Sequence, residues 1–209
     1  MALGPVTRTW PAAIEIFGPA TASALGLERQ WTLAVRCRGN EAFTQAARQR
    51  LSDMGGEGLS FPDSVEGLRV WEALTALEAQ AAIAIRMAAL PTRLPRLIEV
   101  AGAGDEGNAK SDNAASAWML AAHAGTGTLR VWRATPPPAA ELDSLARRFT
   151  EIRGELAYDG GTVTLPVLPK TLLSRLDPFD LSGAPLELAR GLKSTFDPAG
   201  ILSPGRFFS

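Results

Sequence analysis

The sequence predicts an α+β domain: an antiparallel sheet with helices packed on one face and ferredoxin-like elements. Three observations point there. Short apolar runs with period two recur along the 209 residues, longer stretches with a period near 3.6 lie between them, and several strand-like runs are joined by tight glycine turns. Hairpins mixed with helices argue for an antiparallel sheet rather than a doubly wound one.

The elements follow in order. Ala12–Phe17 reads as a strand through Ile14, Ile16 and Phe17, stopped by Gly18-Pro19. Gln30–Arg38 reads as a second, with Trp31, Leu33, Val35 and Cys37 alternating with Thr32, Ala34, Arg36 and Arg38. Asn40 is placed to cap a helix over Glu41–Met54, ended by the glycines from Gly55 to Gly58. A helix over Ser64–Leu77 carries Val65, Leu68, Trp71 and Leu74 on one stripe. In the next strand, Ala81–Leu90, one face holds Ile83, Ile85 and Met87, and the other Ala84, Arg86 and Ala88. Pro95 opens a helix over Arg96–Ala103, and Gly102–Asn113 reads as a polar surface loop. Ala114–Ala122 and Thr128–Ala134 form a hairpin. A helix covers Ala139–Ile152, and a last hairpin joins Gly154–Tyr158 to Thr162–Val167 through Asp159-Gly160-Gly161. A short helical turn at Lys170–Leu176 and a helix over Pro185–Phe196 close the chain. Residues 1–11 read as an extended leader and 12–209 as one domain.

Composition excludes several classes. With 21 basic and 22 acidic side chains and no cluster of Lys or Arg, there is no field to draw in nucleic acid. No apolar run is long enough to span a membrane, and the N-terminus lacks the pattern of a signal peptide. A single cysteine, Cys37, fits a reducing cytoplasm and falls on the inward side of its strand, where it reads as buried and inert.

Three features could carry chemistry. The run Leu192–Phe207 ends a helix before Pro198, turns at Asp197-Pro198-Ala199-Gly200, and turns again at Ser203-Pro204-Gly205, which aims Arg206. Physically this is a clamp onto a core or a device that presents an arginine. The second feature is His123-Ala124-Gly125-Thr126-Gly127, where the only histidine of the chain precedes glycines that suit a tight turn or an anion contact. Third is Arg86, whose planar fork suits bidentate capture of a carboxylate, or which simply faces solvent. Trp71 on its helical stripe reads as core.

The C-terminal run resembles the end of the FAD-linked oxidases, above all the FAD-binding subunits of glycolate oxidase, where Phe-Asp-Pro-x-Gly is followed by Asn-Pro-Gly-Arg or Lys. Here Ser203 stands in place of the usual Asn. The His-x-Gly-x-Gly at His123, the Arg at Arg86 and the Trp at Trp71 are similar to the same family. The resemblance implies a substrate-side cap domain, with Arg86 holding the carboxylate of a small 2-hydroxy acid and Arg206 also contacting the substrate. His123 would be catalytic, and Gly205 and Arg206 would lie against the flavin. Relatives that bind a metal carry a second histidine where this chain has Leu129, so no metal site is expected.

The flavin-binding half of such an oxidase, with its glycine-rich pyrophosphate loop, has no counterpart in these residues: Gly4, Gly18 and Gly26 are too dispersed to cradle phosphates. FAD is therefore expected only through a separate domain or subunit, and the chain is not expected to be an oxidoreductase alone. The expected partners are that flavin-binding domain or a second copy on an exposed docking face. The alternative is a non-catalytic binding or assembly module that retains the cap fold.

Overall fold

The computed structural model describes residues 11–55, 58–101, 117–158, 160–181 and 183–203. The chain divides into two compact units, up to Pro178 and from Phe179 onward, a boundary inside the stretch that the sequence reads as one domain.

The first unit is built on a six-stranded, wholly antiparallel sheet. Its strands are β1 (Ala13–Phe17), β2 (Thr32–Arg36), β3 (Ile83–Ala88), β4 (Met119–His123), β5 (Thr128–Arg133) and β6 (Thr162–Val167), in the order β2-β1-β4-β5-β3-β6. The helices among them are α1 (Pro19–Ala24), α2 (Glu41–Asp53), α3 (Ser64–Ala79), α4 (Leu94–Val100), α5 (Leu142–Tyr158) and α6 (Lys170–Leu173). From β3 onward the chain runs β3-α4-β4-β5-α5-β6 with spatial order β4-β5-β3-β6, which is the split βαβ arrangement of a ferredoxin-like unit. The β1–β2 pair extends that sheet beyond β4.

Strand alternation divides the side chains between two faces. Ile14, Ile83, Ile85, Met87, Leu120, Leu129, Val131, Val163 and Leu165 form the main core with Leu94 and Leu97 of α4 and Phe149, Ile152 and Leu156 of α5. The α+β class and antiparallel sheet are as the sequence predicts. A smaller cluster on the opposite face joins Phe17, Met119, Ala121 and Trp132 to Ala22 of α1 and Leu74 of α3, so helices cover part of that face too.

Local chemistry sets the helix starts. The Asn40 side chain accepts the Phe43 N–H at 2.9 Å, and that of Asp63 accepts the N–H groups of Val65 and Glu66 at 2.8 Å. Pro19, read as a strand stop, also opens α1, because its fixed φ suits the first helical turn. The predicted strand at Gly154–Tyr158 is helix instead. Leu156, completely buried, continues the stripe of Phe149 and Ile152 at spacings of three and four, and core packing carries α5 through Gly154. β6 accordingly pairs with β3 and not with a neighbouring hairpin strand. Cys37 lies just past the end of β2 and is half-buried, a correction to its inward reading: the strand is an edge, partly exposed on both faces.

In the second unit, α7 (Gly183–Phe196) leads into the terminal turn. The predicted surface loop at Gly102–Asn113, the leader before Pro11, and both Gly205 and Arg206 lie outside the described residues.

Candidate functional site

The face of the sheet opposite the main core carries the buried Glu15 and the half-buried Arg130 that pairs with it. Register places Glu15 of β1 opposite His123 of β4, His123 opposite Thr128 of β5, and Thr128 opposite Ala88 of β3. In the adjacent row, Ala121 is opposite Arg130, Arg130 opposite Arg86, and Arg86 opposite Thr164. Arg86 and His123 thus share one face, two strand spacings or about 10 Å apart laterally.

Arg130 is the hub. Its Nη2 donates to Glu15 Oε2 at 2.8 Å, and its Nη1 lies 2.9 Å from Glu78 Oε1 and 3.2 Å from Oε2. Glu15 is 4 % exposed, and burial raises its pKa against the opposing pull of Arg130 and His123. Burial likewise raises that of Glu78, which Arg130 lowers and Glu15 raises further. One guanidinium therefore serves two partly desolvated carboxylates, and its own Nε is buried without a hydrogen-bond partner among the described residues.

Arg86 differs sharply from its cross-strand neighbour. It is exposed, and no hydrogen bond or ion pair to it occurs among the described residues. With Arg130 paired to its two acids, Arg86 is a cation of this face without a hydrogen bond or ion pair among the described residues, and Thr164 lies opposite it in the ladder.

His123 is half-buried and tied into its own turn. Its Nδ1 accepts the Thr126 N–H at 3.2 Å, and its carbonyl accepts the N–H groups of Thr126 and Gly127. The Thr126 hydroxyl lies 3.2 Å from the same Nδ1 and donates to Thr128 Oγ1 at 3.1 Å. A neutral imidazole whose Nδ1 accepts carries its hydrogen on Nε2, which has no partner among the described residues and is a donor. Gly127 is fixed by geometry: at φ +67°, a Cβ there would stand 2.1 Å from the Ala89 carbonyl oxygen. Leu129, fully buried, points into the main core, which accounts for its apolar character.

The turn does not suit a pyrophosphate. The Thr126 and Gly127 amides are spent on His123, and Gly127 is packed against backbone, so these residues do not form a phosphate cradle for FAD. Among the described residues no group of three or more His, Cys, Asp and Glu gathers to hold a metal ion, and no helix is long and apolar enough to cross a membrane.

Trp71 sits half-buried in the smaller cluster, edge-on to Phe17 at 6.3 Å, with the Arg36 guanidinium 5.5 Å from its ring centroid.

In the second unit, Asp197 organises the terminal turn. Its carboxylate accepts the N–H groups of Ile201 at 2.8 Å and Leu202 at 3.1 Å and pairs with Lys193, whose Nζ also donates to the Leu202 carbonyl at 2.6 Å. The Lys193 hydrogen bond, helped by the two amides, lowers the Asp197 pKa. Gly200 has φ +65° and Ser203 φ +49°. The position where the resembled family has Asn is therefore one whose backbone favours Asn. Leu188, Leu192 and Phe196 are exposed at four-residue spacing along α7, Phe196 by 75 %.

The sequence singled out Arg86 and His123, which share the face, and missed Glu15, Glu78, Arg130, Thr126 and Thr128. A signal was present: Glu15 is a charge in the middle of the otherwise apolar strand AIEIF, and Arg130 stands between the apolar Leu129 and Val131 of TLRVWR.

Residues 180–207 match the family described as FAD linked oxidases, C-terminal domain. The match falls on the second unit and includes Asp197, Gly200 and Ser203. No curated protein matches the chain.

Proposed function

We propose that this chain is the substrate-side cap of an FAD-dependent oxidase or dehydrogenase acting on a small 2-hydroxy acid, glycolate or D-lactate in kind, with the flavin held by another domain or subunit. The family match over 180–207 supports an FAD-linked oxidase cap. The observation that carries the substrate class is Arg86, an exposed and uncommitted guanidinium on the face that also carries the open Nε2 of His123. A guanidinium fork takes a carboxylate in two parallel hydrogen bonds. The Nε2–H then donates to the hydroxyl oxygen at the other end of the acid, orienting it. By the same family resemblance, Arg206 and Gly205 are candidate contacts to substrate and flavin. The exposed stripe of α7 is apolar surface of the kind that a docked domain covers.

One observation favours the second reading, a binding or assembly module without chemistry. The His123 imidazole and its glycines are accounted for by the hairpin turn itself.

Titration with glycolate and D-lactate, followed by the ring resonances of the single histidine, separates the two. The cap reading expects saturable shifts in the His123 signals that Arg86→Ala reduces at least tenfold in apparent affinity. Shifts that survive Arg86→Ala, or no shifts at all, favour the module.

A further inference from the structure

The two edges of the sheet are unlike. At one, β6 contains Pro166, its pairing with β3 shifts register between Ala84 and Arg86, and the outward Leu165 N–H is used by the Pro178 carbonyl at 2.8 Å. Proline, irregularity and an external cover are the devices by which proteins blunt an edge. At the other edge, β2 has none of these among the described residues. It is a regular five-residue strand, Thr32–Arg36, without proline or bulge, paired in unbroken register with β1 and with no described strand beyond it. Its one charge, Arg36, is drawn back over the Trp71 ring and does not stand guard on the edge.

We propose that β2 is a homodimer interface, two copies pairing antiparallel across a two-fold axis to make one continuous sheet. The occupant follows from the strand being self-complementary. Centred on Ala34, antiparallel pairing sets Leu33 opposite the second copy's Val35 on the main-core face, and Thr32 opposite its Arg36 on the other. Apolar side chains meet apolar ones, the charged ones meet hydroxyls, and no like charges stand opposite. A slip by one residue would turn Leu33 and Val35 toward the wrong face, so the pattern also fixes the register. Trp31, 45 % exposed at the start of the strand, falls beside the end of the second copy's β2, where pairing covers it. An isologous contact of this kind closes on itself and does not propagate. This inference stands apart from the proposed activity, since none of its residues belongs to the Arg86–His123 face site.

The test is the solution mass of the full chain by light scattering after gel filtration, for the wild type, Val35→Lys on β2 and Val167→Lys on the β6 edge. The proposal expects twice the 22.1 kDa chain mass for the wild type and Val167→Lys, and the single mass for Val35→Lys. Circular dichroism must show Val35→Lys still folded; for a variant that fails this, Thr32→Lys, which sets a like charge opposite the second copy's Arg36, is substituted and the same dissociation is expected. A wild type that stays monomeric at every accessible concentration overturns the proposal. So does a dimer that withstands folded edge variants of β2, or one that Val167→Lys dissolves.

Discussion

Two carboxylate centres, one in each unit, are held in opposite ways. Glu15 and Glu78 in the first unit are partly desolvated around one arginine, and burial outweighs the attraction, so their pKa values rise. Asp197 in the second unit receives two backbone N–H bonds and a lysine, and its pKa falls. The difference shows what each is suited to. A turn locked by amides stabilises its charge, whereas a sheet face that crowds two acids on Arg130 stores charge at a cost.

Removing the hub should have the largest effect. Arg130→Met leaves Glu15 buried without its cation and should cost on the order of 3 kcal/mol in urea unfolding. Adding Glu15→Gln should recover part of that loss, because the stranded charge goes with it; no recovery would mean that packing, and not charge, makes Arg130 important. Gly127→Ala should cost at least about 2 kcal/mol, through positive φ and the collision with the Ala89 carbonyl.

The two centres should also respond to acid with opposite sign. Glu15 and Glu78 bind protons more readily folded than unfolded, so the first unit should gain stability as pH falls from their raised values toward the ordinary glutamate range. Asp197 binds protons less readily folded, so its contribution is present above the ordinary aspartate range and is lost as pH falls through its lowered value. Denaturation of the whole chain across acidic pH, with amide exchange at Ile201 and Leu202, reads the two separately. The smallest effect belongs to Ser203→Asn, which should stabilise the terminal turn by a few tenths of a kcal/mol, about 0.3, because Asn tolerates the left-handed backbone better than Ser.

Much of this is legible in the sequence. Alternation placed Arg86 across the strand from Ile85 and Met87, and the caps at Asn40 and the start of α3 set two helices where the sequence puts them. Gly154 and the Asp159-Gly160-Gly161 run imitated a hairpin, and only the burial of Leu156 shows why α5 continues. The Arg130 hub stayed hidden because its partners lie 115 and 52 residues away, and local periodicity says nothing about which distant charges meet. The same limit applies to the sheet edges: Pro166 is legible within β6, but which strands form the edges, and that the Pro178 carbonyl covers β6, depends on long-range pairing.

The most direct test of the central claim is the visible spectrum of the purified chain, alone and mixed with the FAD-loaded product of the neighbouring gene. The cap account predicts no flavin absorbance from this chain alone, and in the mixture a bleaching by glycolate or D-lactate that Arg86→Ala suppresses. Flavin bound tightly by this chain by itself, or bleaching indifferent to Arg86, would contradict it.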